Sequence, residues 1–261
     1  MFSELSHNYG NQVHVVDNLF LTTLLARLCS PQVVQPEFHD LITTLYQSLL
    51  TQVIHQEFES SLQNIPTRMT SIHPEKLLSG KFVNMQQKCV VVDIARAGIV
   101  PSLTCYQALH RILPPHHIRQ DHIVASRLTE SNSAAVFGTL IESAKIGGDI
   151  ADRFVLIPDP MAATGHTISA TIHHYKKNIS GQPKKWIALH MIATPEYLKH
   201  MSQQFPELTI YTLRVDRGMS PEFILQTPLG KHWDSEKGLN EKDYIVPGGG
   251  GFGELMNNSF V

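Results

Sequence analysis

A short stretch of this chain brings together Asp159, Thr164, Gly165 and Thr167, residue types that can hold a phosphorylated sugar. The run Val155-Leu156-Ile157-Pro158-Asp159-Pro160-Met161-Ala162-Ala163-Thr164-Gly165-His166-Thr167 reads as an apolar strand that delivers an acidic residue at its end. A tight loop follows and opens a helix expected from Ile168 to Lys177. The amides from Ala163 to Thr167 would then be first-turn donors aimed at an anion, with the helix dipole behind them. Thr164 and Thr167 add hydroxyl donors, and Gly165 permits close approach or a positive φ. Asp159 is placed to accept hydrogen bonds from ribose hydroxyls or to meet a metal through water.

A second strand end, Val90 to Pro101, carries Arg96-Ala97-Gly98 just past its apolar run. A guanidinium there can take diphosphate oxygens in a bidentate fork that lysine cannot reproduce. Arg127 precedes a polar, small-residue stretch at 131–148, within which Lys145 is a candidate loop lysine. The tail from Gly238 to Glu254 ends in Tyr244-Ile245-Val246-Pro247 and a glycine cluster. Gly248 to Gly253 also spells G-x-G-x-x-G, but a dinucleotide fingerprint needs a helix and a further strand after it, and too few residues follow. The 15 histidines show no zinc-ligand spacing and are expected to be solvated or core residues.

These residues need a scaffold. The chain has 261 residues with 42% hydrophobic content, enough for one large core. A net charge of −2 with 21 Lys+Arg argues against a broad nucleic-acid footprint. Three cysteines without C-x-x-C spacing suit a reducing compartment. Neither a leader peptide nor a membrane span is expected, and a cytoplasmic location is. Residues 17–62 read as helical from the spacing of their leucines and isoleucines. Apolar runs at 89–94, 154–157, 186–192 and 208–215 alternate with expected helices at 101–112, 167–178 and 195–204, and 118–125 offers a further strand. Such alternation predicts a parallel α/β sheet with binding loops at the carboxyl ends of its strands.

The Asp-Pro-Met and Ala-Thr-Gly of 159–165 resemble the phosphoribosyl-diphosphate (PRPP) loop of type I phosphoribosyltransferases, and of the uracil phosphoribosyltransferase family in particular. Arg96-Ala97-Gly98 is similar to that family's diphosphate loop. Arg127 resembles the arginine that leads its flexible loop, and Tyr244 to Gly248 its uracil-binding segment. The resemblance spans nearly the whole chain and includes Ala-Thr-Pro-Glu at 193–196. It implies a parallel-sheet type I phosphoribosyltransferase core flanked by helices, with a hood built from the helical N-terminal part and the C-terminal segment. The expected division is a helical part at 1–75, an α/β PRPP-binding core at 76–215 and a base-binding segment at 216–261. The tail departs from the family, whose pattern after Pro-Gly is Leu-Gly-Asp-Ala-Gly-Asp. Here Gly251 stands at the Asp, Phe252 at the Ala and Glu254 at the second Asp, and residues 218–237 look like an insertion.

The resemblance implies transfer of the 5-phosphoribosyl group of PRPP to uracil, giving UMP and diphosphate. Asp159, Arg96 and Arg127 would act catalytically. PRPP would be held by the two arginines and by Asp159, Pro160, Met161, Ala162, Ala163, Thr164, Gly165, His166 and Thr167. Ile245, Gly250, Gly251 and Phe252 would present backbone to the base, whose O2, N3–H and O4 show an acceptor, a donor and an acceptor. Phe252 is further expected to stack on the base or narrow its pocket. Mg²⁺ is the implied cofactor, held mainly by PRPP and without a direct protein ligand set. The partners are PRPP and uracil, with no nucleic acid or membrane, in a homo-oligomer of two or more chains. Two alternatives stay open: another base, or a non-catalytic PRPP- or nucleotide-sensing regulator on the same fold, as in RNA-binding pyrimidine attenuation proteins.

Overall fold

The strands predicted from continuous apolar runs are buried on both faces, as helices packed on either side of a parallel sheet require. A computed structural model describes residues 3–129 and 136–259. In chain order the elements are β1 (Ser3–Glu4), β2 (Val13–Asp17), α1 (Leu19–Leu28), α2 (Glu37–Glu57), β3 (Ser60–Ile65), β4 (Leu78–Val83), β5 (Lys88–Ala95), α3 (Ile99–Leu109) and β6 (Ile118–Thr129). There follow β7 (Val136–Lys145), β8 (Arg153–Pro158), β9 (Met161–Ala162), α4 (His166–Asn178), β10 (Lys185–Ala193), α5 (Pro195–Gln204), β11 (Leu208–Val215), α6 (Glu222–Leu225) and α7 (Phe252–Asn257).

Nine strands form one sheet in the order β1-β2-β11-β10-β8-β5-β6-β7, with β9 paired to β10. The run from β2 to β6 is parallel throughout, while β1 and β7 close the two edges antiparallel. Alternation along each strand divides the core. Val91, Leu156, Leu189 and Tyr211 pack under α1, α2 and α3. Val90, Val92, Val155, Ile157 and Ala188 pack on the opposite face against Ile168, Ile172 and Tyr175 of α4 and Tyr197, Leu198 and Met201 of α5. This is an α/β fold with a mostly parallel central sheet. The carboxyl ends of β5, β8, β10 and β11 therefore open their loops at one edge, where ligands bind in such sheets. No helix among the described residues is long and apolar enough to cross a membrane.

The N-terminal part is less helical than its periodicity suggested. Val13 and Val15 bury themselves as β2, which extends the sheet beside β11, and Asn18 then caps α1 by accepting from the Leu21 amide at 3.1 Å. Residues 60–62, expected at the end of the helical stretch, instead open β3, which pairs antiparallel with β4. The small-residue stretch at 131–148 contains a strand, β7, whose Leu140 lies opposite Ser126 of β6. Its first positions, 131–135, lie outside the described residues. The stretch at 218–237 folds around Glu236, which is buried and ion-paired to Arg217 at 2.8 Å.

Candidate active site

A cavity of about 1210 Å³ opens at the carboxyl ends of the strands. Its walls come from the end of α1 (Leu28, Cys29), the turn after β5 (Ile94 to Ala97), Val124 to Ser126 of β6, the loop from Asp159 to Ile168, and the tail from Gly249 to Leu255. Three regions far apart in sequence, each singled out for its residue types, thus face one space.

The loop after β8 is stitched to β10. The Asp159 amide donates to Leu189 O at 3.0 Å, the amides of Met191 and Ile192 both donate to Pro160 O at 3.1 Å, and the Thr194 amide donates to Ala162 O at 3.1 Å. The Thr194 hydroxyl adds a bond to Ala163 O at 2.6 Å and also caps α5 through the Tyr197 amide at 3.0 Å. Pro160 is buried and belongs to this support, whereas Asp159, Met161 to Ala163, Thr164, Gly165, His166 and Thr167 line the cavity. Gly165 sits at φ +90, and a Cβ there would lie 3.0 Å from His200 Cδ2 and 3.1 Å from Met201 Sδ. Glycine is what lets the chain turn into α4 against α5. Helix α4 begins one turn-setting step earlier than expected, at His166, and its first amides face the cavity end. His166 Nδ1 is buried without a hydrogen-bond partner among the described residues.

Arg96 stands where the strand reading put it, beside the tail. Its Nη1 donates to Ser259 O at 3.1 Å and to Ser259 Oγ at 2.9 Å, and Nη2 lies 3.9 Å from Glu254 Oε1. Gly98 is packed so tightly that a Cβ would meet Ile94 O at 2.7 Å, which fixes the sharp turn that presents Arg96. Arg127 falls on β6, and its side chain lies outside the described ones. Lys145 pairs with His122 at the far end of β7 and takes no part in the cavity wall, so the lysine assigned to a loop over the site is a strand residue away from it.

In the tail, Ile245, Gly250 and Gly251 line the cavity. Phe252 also borders it, but its ring is only 2% exposed and packs edge-on against Phe38 at 5.2 Å. The ring is core, because it anchors α7 to α2, and the expectation that it stacks on a base does not hold. At Gly251 a Cβ would lie 2.2 Å from Glu254 Oε2, so the Glu254 carboxylate fills the space beside the glycine.

Two supports were not visible in the residue pattern. His190 on β10 is wholly buried; it bridges Asp159 O at 2.6 Å through Nδ1 and the Tyr197 hydroxyl at 2.6 Å through Nε2. A carbonyl only accepts, so Nδ1 carries the proton and Nε2 accepts from tyrosine. Burial holds this imidazole neutral, down to about 4. Burial, with the Asp159 charge adding to it, pushes the Tyr197 and Tyr46 phenols up. Burial, with His166 adding to it, lowers His200, whose ring lies edge-on to that of His166 beside Gly165. The second support is Arg214 on β11, whose Nη2 donates to Gly248 O at 2.9 Å.

Comparison with known proteins agrees with this arrangement. A solved structure of the AQ2163 protein from Aquifex aeolicus superposes with a TM-score of 0.69 at 20% identity, covering 94% of this chain and 97% of that one, and so shares the fold. Uracil phosphoribosyltransferases of Caldanaerobacter subterraneus (25% identical, 94% of this chain and 96% of theirs) and Dictyoglomus turgidum (28%, 94% and 98%) align along nearly their full length. The family model for uracil phosphoribosyltransferase matches residues 15–235, which takes in the end of β2, Arg96, the Asp159 loop and the β11 end. With a phosphoribosyltransferase loop, an arginine turn and a glycine tail facing one cavity, the chain belongs to the uracil phosphoribosyltransferase family and is a pentosyltransferase enzyme.

Proposed function

We propose that this enzyme transfers the 5-phosphoribosyl group of PRPP to N1 of uracil, giving UMP and diphosphate. The observation that carries the reading is the single cavity onto which the Asp159–Thr167 loop, Arg96 and the Ile245–Gly251 backbone all face. The helix end at His166 would take the 5′-phosphate, Asp159 the ribose hydroxyls, and Arg96 with Arg127 the diphosphate. As the C1–O bond to diphosphate breaks, charge builds on the leaving group and the ribosyl centre turns oxocarbenium-like. Positioning and anion stabilisation then supply the catalysis. The C1–N1 bond forms, and the N1 proton passes to solvent or to the departing diphosphate. Among the described residues, Gly249 and Gly250 make no hydrogen bond through their backbone, which leaves donors and acceptors for the edge of a base.

Mg²⁺ fits as a substrate-borne ion. Asp159, Asp243 and Glu254 are the acidic residues bordering the cavity, and the described residues hold no cluster of three or more His, Cys, Asp or Glu able to bind a metal ion. That sparse set would suit a cation held mainly by PRPP oxygens and its own waters, with Asp159 meeting it through water. Bound so, it would neutralise charge on the diphosphate.

The test is to incubate the purified protein with PRPP, Mg²⁺ and a mixture of uracil, cytosine, orotate and purine bases, and to assay nucleotides and diphosphate. UMP alone is expected. A different nucleotide would keep the chemistry and reassign the base, a reading favoured by Gly251 and Glu254 standing where the family carries other residues. PRPP binding without any product would favour a sensor. Tight, salt-sensitive RNA retention would do the same, against the low basic content.

A further inference from the structure

We infer that Arg214 and Asp216 are positioning residues for the base: together they grip both polar groups of Gly248 and so set the backbone that follows. The inference rests on the uracil reading only for the identity of the base. Arg214 projects from the end of β11 and forms a fork with Asp216, Nε to Oδ1 at 2.5 Å and Nη2 to Oδ2 at 2.8 Å. The same Nη2 donates to Gly248 O at 2.9 Å, and Asp216 Oδ2 accepts from the Gly248 amide at 2.8 Å. Donor and acceptor of one residue are thus held by one ion pair, 32 to 34 residues away in sequence.

The backbone at Gly248 leaves no room for a side chain. Its φ is +62, and a Cβ would lie 2.3 Å from Ile245 O. Two residues earlier, Val246 is fixed at both ends as well, its amide donating to Gly238 O at 2.8 Å and its carbonyl accepting from the Gly218 amide at 2.9 Å. The segment therefore has two rigid points, Val246 and Gly248. Ile245, Pro247 and Gly249 to Gly251, between and beyond them, border the cavity. Arg214 Nη1 also lies 3.9 Å from Cys29 Sγ, which borders the same cavity, so one guanidinium ties the end of α1 to the tail.

Energetics favour a positioning role over a stabilising one. The Asp216 side chain is 2% exposed and that of Arg214 27%. A buried ion pair is weak evidence for stability, since apolar residues of similar volume serve as well. What apolar residues cannot do is bind an amide and a carbonyl at once. The arrangement places a peptide where a ligand's donor-acceptor row would meet it, and exposed backbone is only selective if it cannot rotate to suit another base.

The experiment compares wild type with Arg214→Lys and Arg214→Met, varying uracil and PRPP separately in the presence of Mg²⁺. Amide hydrogen exchange across 244–251 is measured on the same samples. Lysine keeps the charge beside Asp216 but not the fork, so it guards against a variant that fails to fold. The expected result is a KM for uracil raised about tenfold, a PRPP KM changed less than about twofold, and faster exchange confined to the tail. A uracil KM that does not move, or one that moves no more than the PRPP KM, overturns the inference. Should wild type form no UMP, the uracil reading fails and exchange alone decides: faster exchange at 244–251 upholds the clamp, and unchanged exchange removes it.

Discussion

The loop at 159–167 and the tail at 245–251 border the same cavity, yet they are held in opposite ways. The loop is fixed by its neighbour in the sheet, through main-chain bonds from β10 at Met191, Ile192 and Thr194 and through the buried His190. Its position follows from the parallel register of β8 and β10. The tail has no strand under it. It is carried by separate grips: the Val246 main-chain bonds to Gly238 and Gly218, the Arg214–Asp216 fork at Gly248 and the Phe252 ring in the core. The loop therefore follows the sheet through its backbone, whereas the tail depends on the Arg214 side chain that β11 extends to Gly248.

The largest effect should come from the loop. Asp159→Asn is expected to lower kcat/KM about a hundredfold while thermal melting stays near wild type, since one charged hydrogen-bond acceptor is lost at the ribose. Unchanged kinetics would remove Asp159 from the site and break the comparison on its firmer side.

The support beneath that loop predicts a pH dependence of folding. With His190 near 4 when folded, against its ordinary 6.5, the unfolded chain takes up the proton first as pH falls. Stability from the neutral ring is then complete above pH 6.5 and drains between 6.5 and 4, by roughly 3 kcal/mol. Melting wild type and His190→Asn across that range should show a shallower loss in the variant; parallel curves would refute the neutral, buried ring.

On the tail side, Gly248→Ala should cost about 1–2 kcal/mol, because an L side chain is forced to positive φ against Ile245 O. The cost should fall on uracil binding, read by equilibrium titration, with PRPP affinity preserved. A loss shared equally by both ligands would show that the two regions are one unit. The smallest effect is expected from removing residues 258–261: freeing Arg96 of Ser259 should tighten diphosphate binding about twofold, a few tenths of a kcal/mol. Calorimetry that finds weaker binding instead would make the tail part of the diphosphate site.

The sequence made β5, β8, β10 and β11 legible because strands buried on both faces are predominantly apolar along their length. It likewise exposed the contiguous 159–167 run, in which strand end, turn glycine and helix start are adjacent. It hid β2, whose Val13-His14-Val15-Val16 is too short to outweigh the long helical periodicity behind it. It hid β7 as well, where Gly138, Thr139 and Ser143 dilute the apolar positions. His190 and Arg214 escaped for another reason: their partners are main-chain atoms 31 and 34 residues away, and a side chain that binds backbone needs no matching residue type. For Phe252 only the stacking expectation fails, because an aromatic beside glycines reads the same in sequence whether its ring faces a ligand or the core.

The contact between Arg96 and Ser259 has a further consequence. A group tethered to the same chain is present at an effective concentration on the order of millimolar when its linker is short. The Ser259 carbonyl and hydroxyl therefore act as a resident competitor that no dilution removes. An anion binding at Arg96 would have to displace Ser259 first, so the chain itself would set a threshold for occupancy. Lengthening or shortening the six-residue helix before Ser259 would shift that threshold without altering a single group that touches the ligand.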